Sequence, residues 1–600
     1  MSKLQSKNIL KIDVLLDAIL LVTALSGLGT ARSALLLHFS EYTYFSSEPA
    51  FVCTFLDNPG EILDYLGAFF TRLCAYPMAG ASCLGVLLVL LRRLLARAVG
   101  GEAARWLSFF PPVLLLLFLL RMDYGVYVLK SYGFVFSPVL GLLGTAGVYA
   151  LYRFLFPKRG WCWLLVPLTV LLFPLLGFYL LAGALMAALP AVSRNGRVSC
   201  AVMAVLVLLP LFCAYSDWVY PRINMRFAFL GGLPYRDLVG EAALFLPLGA
   251  AVCITVLLPV SGKVSLPRPA WIAAAVLAFA CLFAFPNRDR NFRAVLRMEA
   301  ALSRSDWDGI LAEAQKVGEP SRIHVVYRNI ALYQKDQLCD RMFTFPDGSA
   351  PLKTSAVMPI SFLIAPEALL RAGLLNYAER WATELSATYT KNVHYLKCLA
   401  RVAVLTGDRE LARKYFALLR RCPFTGSWVR RHETLLADPA ALSADPEMRR
   451  ILDLYQPDER RIIAGEAIEG VILDHFASMP VSNGRQYECR MASLLTLKQE
   501  GPFMKAFLDH SQAYPGERIP AGIAQAAVLF GGTSGDRDLY LQVFDQFRDE
   551  TVLLRDFGSY GRDYNNAGNI SSPSTVQRFA QKYGKTYWFY YHFVNDLKTN

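Results

Sequence analysis

Three carboxylates and three guanidiniums are the side chains of this sequence best suited to act together. Glu41 and Asp57 share one stretch, Asp123 closes a long apolar run, and Arg222, Arg226 and Arg236 lie among Trp, Tyr and acidic residues in a third. A carboxylate can take a proton from an acceptor hydroxyl or amide, and paired carboxylates can hold a divalent ion. Guanidinium forks match the oxygen spacing of a phosphate. The expected site is therefore Glu41, Asp57 and Asp123 as the catalytic acids, with Arg222, Arg226 and Arg236 on a donor phosphate. Asp57 and Asp123 are the expected ligands if Mg or Mn takes part. A plainer reading stands beside this one: acids at helix ends, and Arg, Tyr and Trp anchoring the chain at lipid headgroups.

The elements that would position these groups follow from hydrophobicity. The chain has 600 residues, 54% of them hydrophobic, but charge is split unevenly. Residues 1–286 hold 21 Lys and Arg and 12 Asp and Glu, whereas residues 287–600 hold 40 and 36. A span needs about 20 mostly apolar residues. Nine runs qualify, at 14–37, 68–91, 106–122, 133–152, 161–176, 178–193, 199–215, 241–260 and 269–286. The fifth and sixth form one run that Pro174 and Gly177 must break into a hairpin. The expected fold is all-α: a transmembrane bundle over 1–286, then a soluble helical domain over 287–600.

Lys3, Lys7 and Lys11 precede an apolar run with no clean cleavage site, which predicts an uncleaved first span. With that end inside, inner segments carry 14 Lys and Arg and outer segments 7, as the positive-inside rule requires. The expected outer loops are 38–67, 122–132 and 216–240, and the soluble half lies outside, in the periplasm beyond the inner membrane. Nine of the thirteen units of net positive charge belong to the membrane half, so they speak for orientation and against a nucleic-acid partner. Asp17 sits within the first span near its inner end. The first outer loop contains Asn58-Pro59-Gly60-Glu61, which predicts a capped helix with Ile62, Leu63, Leu66, Phe69 and Phe70 on its apolar side and Thr71 and Arg72 opposite.

In the soluble half, Ala372-Gly373 through Ala378 to Trp381 repeats as Thr406-Gly407 through Ala412 to Tyr415, a spacing of 34 residues. That is the tetratricopeptide period, with Gly at the turn and Ala where helices meet. Asp336 to Phe343 is a degenerate third copy. Breaks are expected at 346–359, 531–536 and 558–573. Cys339, Cys398, Cys422 and Cys489 show no CxxC spacing and read as isolated thiols, with a disulfide as the alternative. No phosphate loop, HExxH or nucleophile elbow is present.

The layout resembles a family of bacterial multi-pass membrane proteins with tetratricopeptide-like C-termini. The resemblance rests on Asn58-Pro59-Gly60-Glu61, Tyr65-Leu66, Phe69-Phe70, Asp123-Tyr124 and Arg341-Met342-Phe343, and it implies no activity. In architecture the chain is also similar to membrane glycosyltransferases that use polyprenyl-linked donors, although it lacks their paired-acid signature in the first loop. That similarity implies a glycosyl- or oligosaccharyl-transferase of the periplasmic face. Its partners would be membrane lipid, a lipid-linked glycan donor, and an acceptor protein held by the helical repeats. The alternatives are a non-catalytic membrane-anchored scaffold for an envelope assembly, or a transporter, for which no polar path through the spans is apparent.

Overall fold

The computed structural model describes residues 3–155, 165–192, 230–234, 242–260, 266–352, 364–389, 391–456 and 468–594. Among these residues the chain is helical throughout, with no strand. The membrane-facing half contains α1 (Lys3–Ala24), α2 (Ser33–Glu41), α3 (Ile62–Arg72), α4 (Pro77–Val99), α5 (Phe110–Leu120), α6 (Ser137–Leu155), α7 (Phe178–Val192), α8 (Ala242–Leu257) and α9 (Arg268–Ala284). A first layer of the second half packs back onto α2 and comprises α10 (Arg290–Leu302), α11 (Trp307–Ala314) and α12 (Arg322–Gln334). It is followed by α13 (Ala365–Arg371), α14 (Leu375–Thr388), α15 (Val393–Thr406), α16 (Arg409–Arg420), α17 (Gly426–Ala437) and α18 (Pro446–Leu452).

Three helical segments among the described residues are long and apolar enough to cross a membrane: Lys11–Thr30, Pro77–Val99 and Glu102–Leu120. The expectation of about nine spans is corrected to that number. The other expected runs form shorter or less apolar helices, or lie outside the described residues. α6 contains Gly141, Gly144, Gly147 and Arg153, which dilute its apolar character. α7 and α8 are interrupted by Pro190 and Pro247 and remain short, as does α9. The runs at 161–176 and 199–215 lie partly or wholly outside the described residues. The hairpin break falls where expected, at Gly177, whose φ of +49° only glycine adopts readily. Val22, Val86 and Leu90 are exposed on the spanning segments, as an apolar surround requires.

The first outer loop departs from its expected form in one way. Asn58 is not the helix cap: α3 begins at Ile62 with Glu61 as its N-cap residue. Gly60 takes a left-handed turn with φ +79° and donates its N–H to the Pro174 carbonyl at 2.9 Å, so a tertiary contact holds the residues meant for a first helical turn. The two sides of α3 are as the spacing predicts. Thr71 and Arg72 are each 1% exposed, whereas Leu66 and Phe69 are more than 40% exposed. A helix against lipid turns its apolar side outward and its polar groups toward the protein. α3 reaches α6 closely because Gly67 and Gly133 meet; a Cβ on Gly67 would lie 2.6 Å from the Gly133 carbonyl.

In the second half, Gly373 and Gly407 both have φ +75°, and Ala378 and Ala412 are both fully buried. The 34-residue spacing thus marks two equivalent helix junctions, α13 to α14 and α15 to α16. A continuing solenoid is not established by this pair. The expected breaks at 531–536 and 558–573 are present, narrowed to the residues between Thr533 and Arg537 and between Asn565 and Pro573. Gly531 and Gly532 themselves lie inside the helix Ala521–Thr533, where added Cβ atoms would press on Val543 and Phe557, and Gly558 lies inside Thr551–Asn565. Residues 346–352 are non-helical, and the rest of the expected break at 346–359 lies outside the described residues. Cys339, Cys398, Cys422 and Cys489 are buried free thiols.

Candidate functional site

α2 carries the chain from the first span to the outer loop, and it presents His38 and Glu41 one turn apart on one face. α10 lies along it and brings Glu299. The His38 Nδ1 is 3.1 Å from Glu299 Oε2, and the Tyr127 hydroxyl donates to the same oxygen at 2.7 Å. His38 is fixed as a plane: it stacks on Tyr42 with centroids 4.2 Å apart and meets the Tyr127 ring edge-on at 4.4 Å. Burial pushes the Glu299 carboxyl up, but His38 and the Tyr127 hydroxyl outweigh it and hold the group below the ordinary carboxylate range. The Nδ1–H of His38 is the donor that suits the Glu299 carboxylate, and Nε2 is the second ring nitrogen.

Opposite this pair lies α15, where His394, Lys397 and Arg401 occupy one face at helical spacing. Lys397 donates to both Glu41 oxygens, at 3.0 and 2.8 Å. Burial pushes Glu41 up too, and Lys397 and Arg72 bring it below its usual value. Arg401 forks onto Glu367 and also reaches Glu447 at 3.3 Å. Arg371, one turn beyond Glu367 on α13, donates to Glu367 at 2.9 Å and contacts Glu447 at 2.7 Å. Glu367 and Glu447 are therefore held as carboxylates despite burial. His432 on α17 stacks on Trp428 at 3.7 Å; burial pushes its ring down to about 4, so it is neutral at ordinary pH.

These groups surround a cavity of about 290 Å³ at the seam between the membrane-facing half and the second half. Its lining includes Arg304, Arg371, Lys397, Arg401 and Arg431 against Glu41, Glu299, Glu367 and Glu447. Three buried nitrogens on this wall, His38 Nε2, Arg371 Nη1 and Arg401 Nε, have no partner among the described residues. A buried polar group left unpaired costs about 1–3 kcal/mol, so three around one cavity require an explanation. The seam itself is firmly tied. The buried Arg72 guanidinium donates to the Ser40 and Thr43 carbonyls and, at 2.9 Å, to the Pro423 carbonyl from the second half.

Of the expected acids, only Glu41 lines this cavity. Asp57 lies exposed in the turn before α3. The Asp123 carboxylate caps a short turn by accepting from the Gly125 N–H at 2.8 Å. Arg222, Arg226 and Arg236 lie outside the described residues. Among the described residues, no group of three or more His, Cys, Asp or Glu side chains is close enough to hold a metal ion. The seam carboxylates are instead bound to guanidiniums, lysine or imidazole. Asp17, expected as an isolated acid in a span, is paired with Arg92 at 2.6 Å and with Arg93 at 2.6 Å.

Sequence reasoning did not find His38, Glu299, Glu367, Arg371, Arg401 or Glu447. One signal was present. Glu367 and Arg401 are 34 residues apart, the repeat spacing itself, so each stands at the same place in consecutive helix pairs.

The chain belongs to the family of unknown function DUF6057. The match covers residues 9–594, nearly the whole chain, and takes in both halves. No curated protein and no solved structure matches the chain.

Proposed function

We propose that the protein is a transferase of the outer membrane face, taking a sugar or oligosaccharide from a polyprenyl-phosphate-linked donor. The seam cavity is its reaction chamber. His38 Nε2, with its ring oriented by Glu299, accepts the proton of an acceptor hydroxyl or amide. The acceptor atom bonds to the anomeric carbon, the bond from that carbon to the phosphate oxygen breaks, and the electron pair leaves on the phosphate. Glu41, held by Lys397, borders the same space. The multi-span, N-terminus-inside topology supplies the periplasmic face, and the helical second half, as a repeat solenoid, presents the acceptor protein.

The observation that carries this reading is the His38–Glu299 pair, with the second imidazole nitrogen unpaired beside the guanidinium wall. A base oriented by a buried carboxylate is how proton abstraction is commonly arranged. A scaffold role is the second reading, and it is favoured by Asp57 and Asp123 standing apart from Glu41. The test compares protein-linked and lipid-linked glycans in cells with and without the protein. The transferase reading expects loss of protein glycans and accumulation of lipid-linked donor. Unchanged pools would leave the scaffold.

A further inference from the structure

We infer that the seam cavity binds a phosphate-bearing head group, with anionic oxygens on Arg371 Nη1 and Arg401 Nε. Its role as substrate rests on the transferase reading; the binding itself does not.

Both guanidiniums are more than nine-tenths buried. Each is locked in plane by Glu367 and Glu447, so neither can rotate its unpaired N–H toward another protein group. Both side chains line the cavity, so its occupant is the group best placed to satisfy them. Arginine is the side chain whose planar fork best matches phosphate oxygens. The wall contains Arg304, Arg371, Lys397, Arg401 and Arg431, and with Arg431 paired to Asp445 at 2.7 Å its cations and carboxylates are evenly matched, so the wall can take a ligand that carries both anionic oxygens and hydroxyl donors. The remaining carboxylate oxygens are acceptors, and they suit a ligand that also carries hydroxyl donors. A phosphate ester of a sugar has both. At about 290 Å³ the space is at the small end of ligand cavities and fits a head group without a lipid tail.

The test uses the full chain in detergent or nanodiscs at fixed ionic strength. Inorganic phosphate, pyrophosphate and glucose 1-phosphate are titrated by calorimetry and by the shift in unfolding midpoint, with chloride as the control. A parallel arm places a polyprenyl phosphate in the nanodisc. Saturable single-site binding is expected, at least tenfold weaker in Arg401→Lys and in Arg371→Lys, which keep the charge and lose the fork. Ala300→Phe fills the cavity without touching a charge, and it should abolish binding even if the lysine variants fold poorly. Binding of soluble phosphates assigns a free ligand, and binding in the lipid arm alone assigns a lipid head group; both support the site. No saturable binding of any probe would mean that water fills the cavity, and binding undiminished in all three variants would put the phosphate elsewhere. Either overturns the inference. Phosphate binding with unchanged cellular glycans would end the transferase reading and leave the site standing. Altered glycans with no oxoanion binding would do the reverse.

Discussion

Between α1 and α4, Arg92 is 1% exposed and each of its three nitrogens is matched. Nε meets Asp17 at 2.6 Å, Nη1 meets Asp13 at 3.0 Å, and Nη2 donates to the Asp13 carbonyl at 3.1 Å. At the seam, Arg371 and Arg401 are almost as buried, yet each retains a donor with no partner among the described residues, and both border a cavity. The two clusters share their chemistry. What separates them is completeness. Removing charge from water is costly in both places, and a closed cluster offsets that cost with its own bonds. A cluster closed on three sides and open on the fourth is what a protein builds when a ligand supplies the rest. The Arg92 cluster therefore reads as a clasp between helices, and the seam cluster as a site.

The comparison can be broken most sharply at Arg92. Arg92→Leu leaves the buried Asp17 against Arg93 alone and takes the guanidinium from the half-buried Asp13, and should cost about 3–5 kcal/mol. Phosphate affinity of the fraction that remains folded should not change. Unfolding of detergent-solubilised protein, combined with phosphate titration, measures both. Equal stability of variant and parent would remove the clasp.

A smaller effect comes from acid. His432 is buried neutral with its pKa pushed down to about 4, against an ordinary value of 6.5. As pH falls below 6.5 the unfolded chain takes up a proton that the folded ring refuses, so stability declines until about pH 4 and then levels. Two and a half pK units correspond to about 3 kcal/mol. Glu41, Glu299, Glu367 and Glu447 have depressed values, so their contribution is complete above the ordinary carboxylate range and is lost only below it. Unfolding midpoints between pH 7 and pH 4 should fall, and His432→Gln should flatten that part of the curve. A variant that tracks the parent would contradict this assignment.

The smallest effect concerns the frame that carries the loop. Gly67→Ala pushes a methyl group into the Gly133 backbone and should cost about 1–3 kcal/mol by separating α3 from α6. It touches neither charge cluster, so binding per folded molecule should stay the same. A neutral substitution would show that α3 can shift freely.

The sequence made some of this visible. The uneven charge of the two halves is local composition, and the hairpin break at Gly177 is local backbone chemistry; both could be read residue by residue. Glu41 was visible as an acid just past an apolar run. Nine spans were expected and three helices among the described residues are long and apolar enough to cross a membrane, because an apolar run does not fix the length of the helix it forms. His38 was hidden because its partner Glu299 is 261 residues away, and a lone histidine at a helix end has no pattern of its own. Arg371 and Glu367 form a pair one turn apart, a spacing common on helix surfaces, and only the folded chain buries them. The two sides of α3 were legible from its 3.6-residue spacing, whereas the burial of Arg72 was not, because the Pro423 carbonyl that receives it is 351 residues away.

The account's central claim is that the working site is the seam, with His38 as its base, and does not lie at Asp57 and Asp123. The most direct measurement is restoration of the glycan pools in cells lacking the protein, by His38→Gln, Asp57→Asn and Asp123→Asn at matched protein levels. The account predicts that both aspartate variants restore the pools and that His38→Gln is slowed by about 10²–10⁴-fold. Full restoration by His38→Gln, with failure of either aspartate variant, would contradict it.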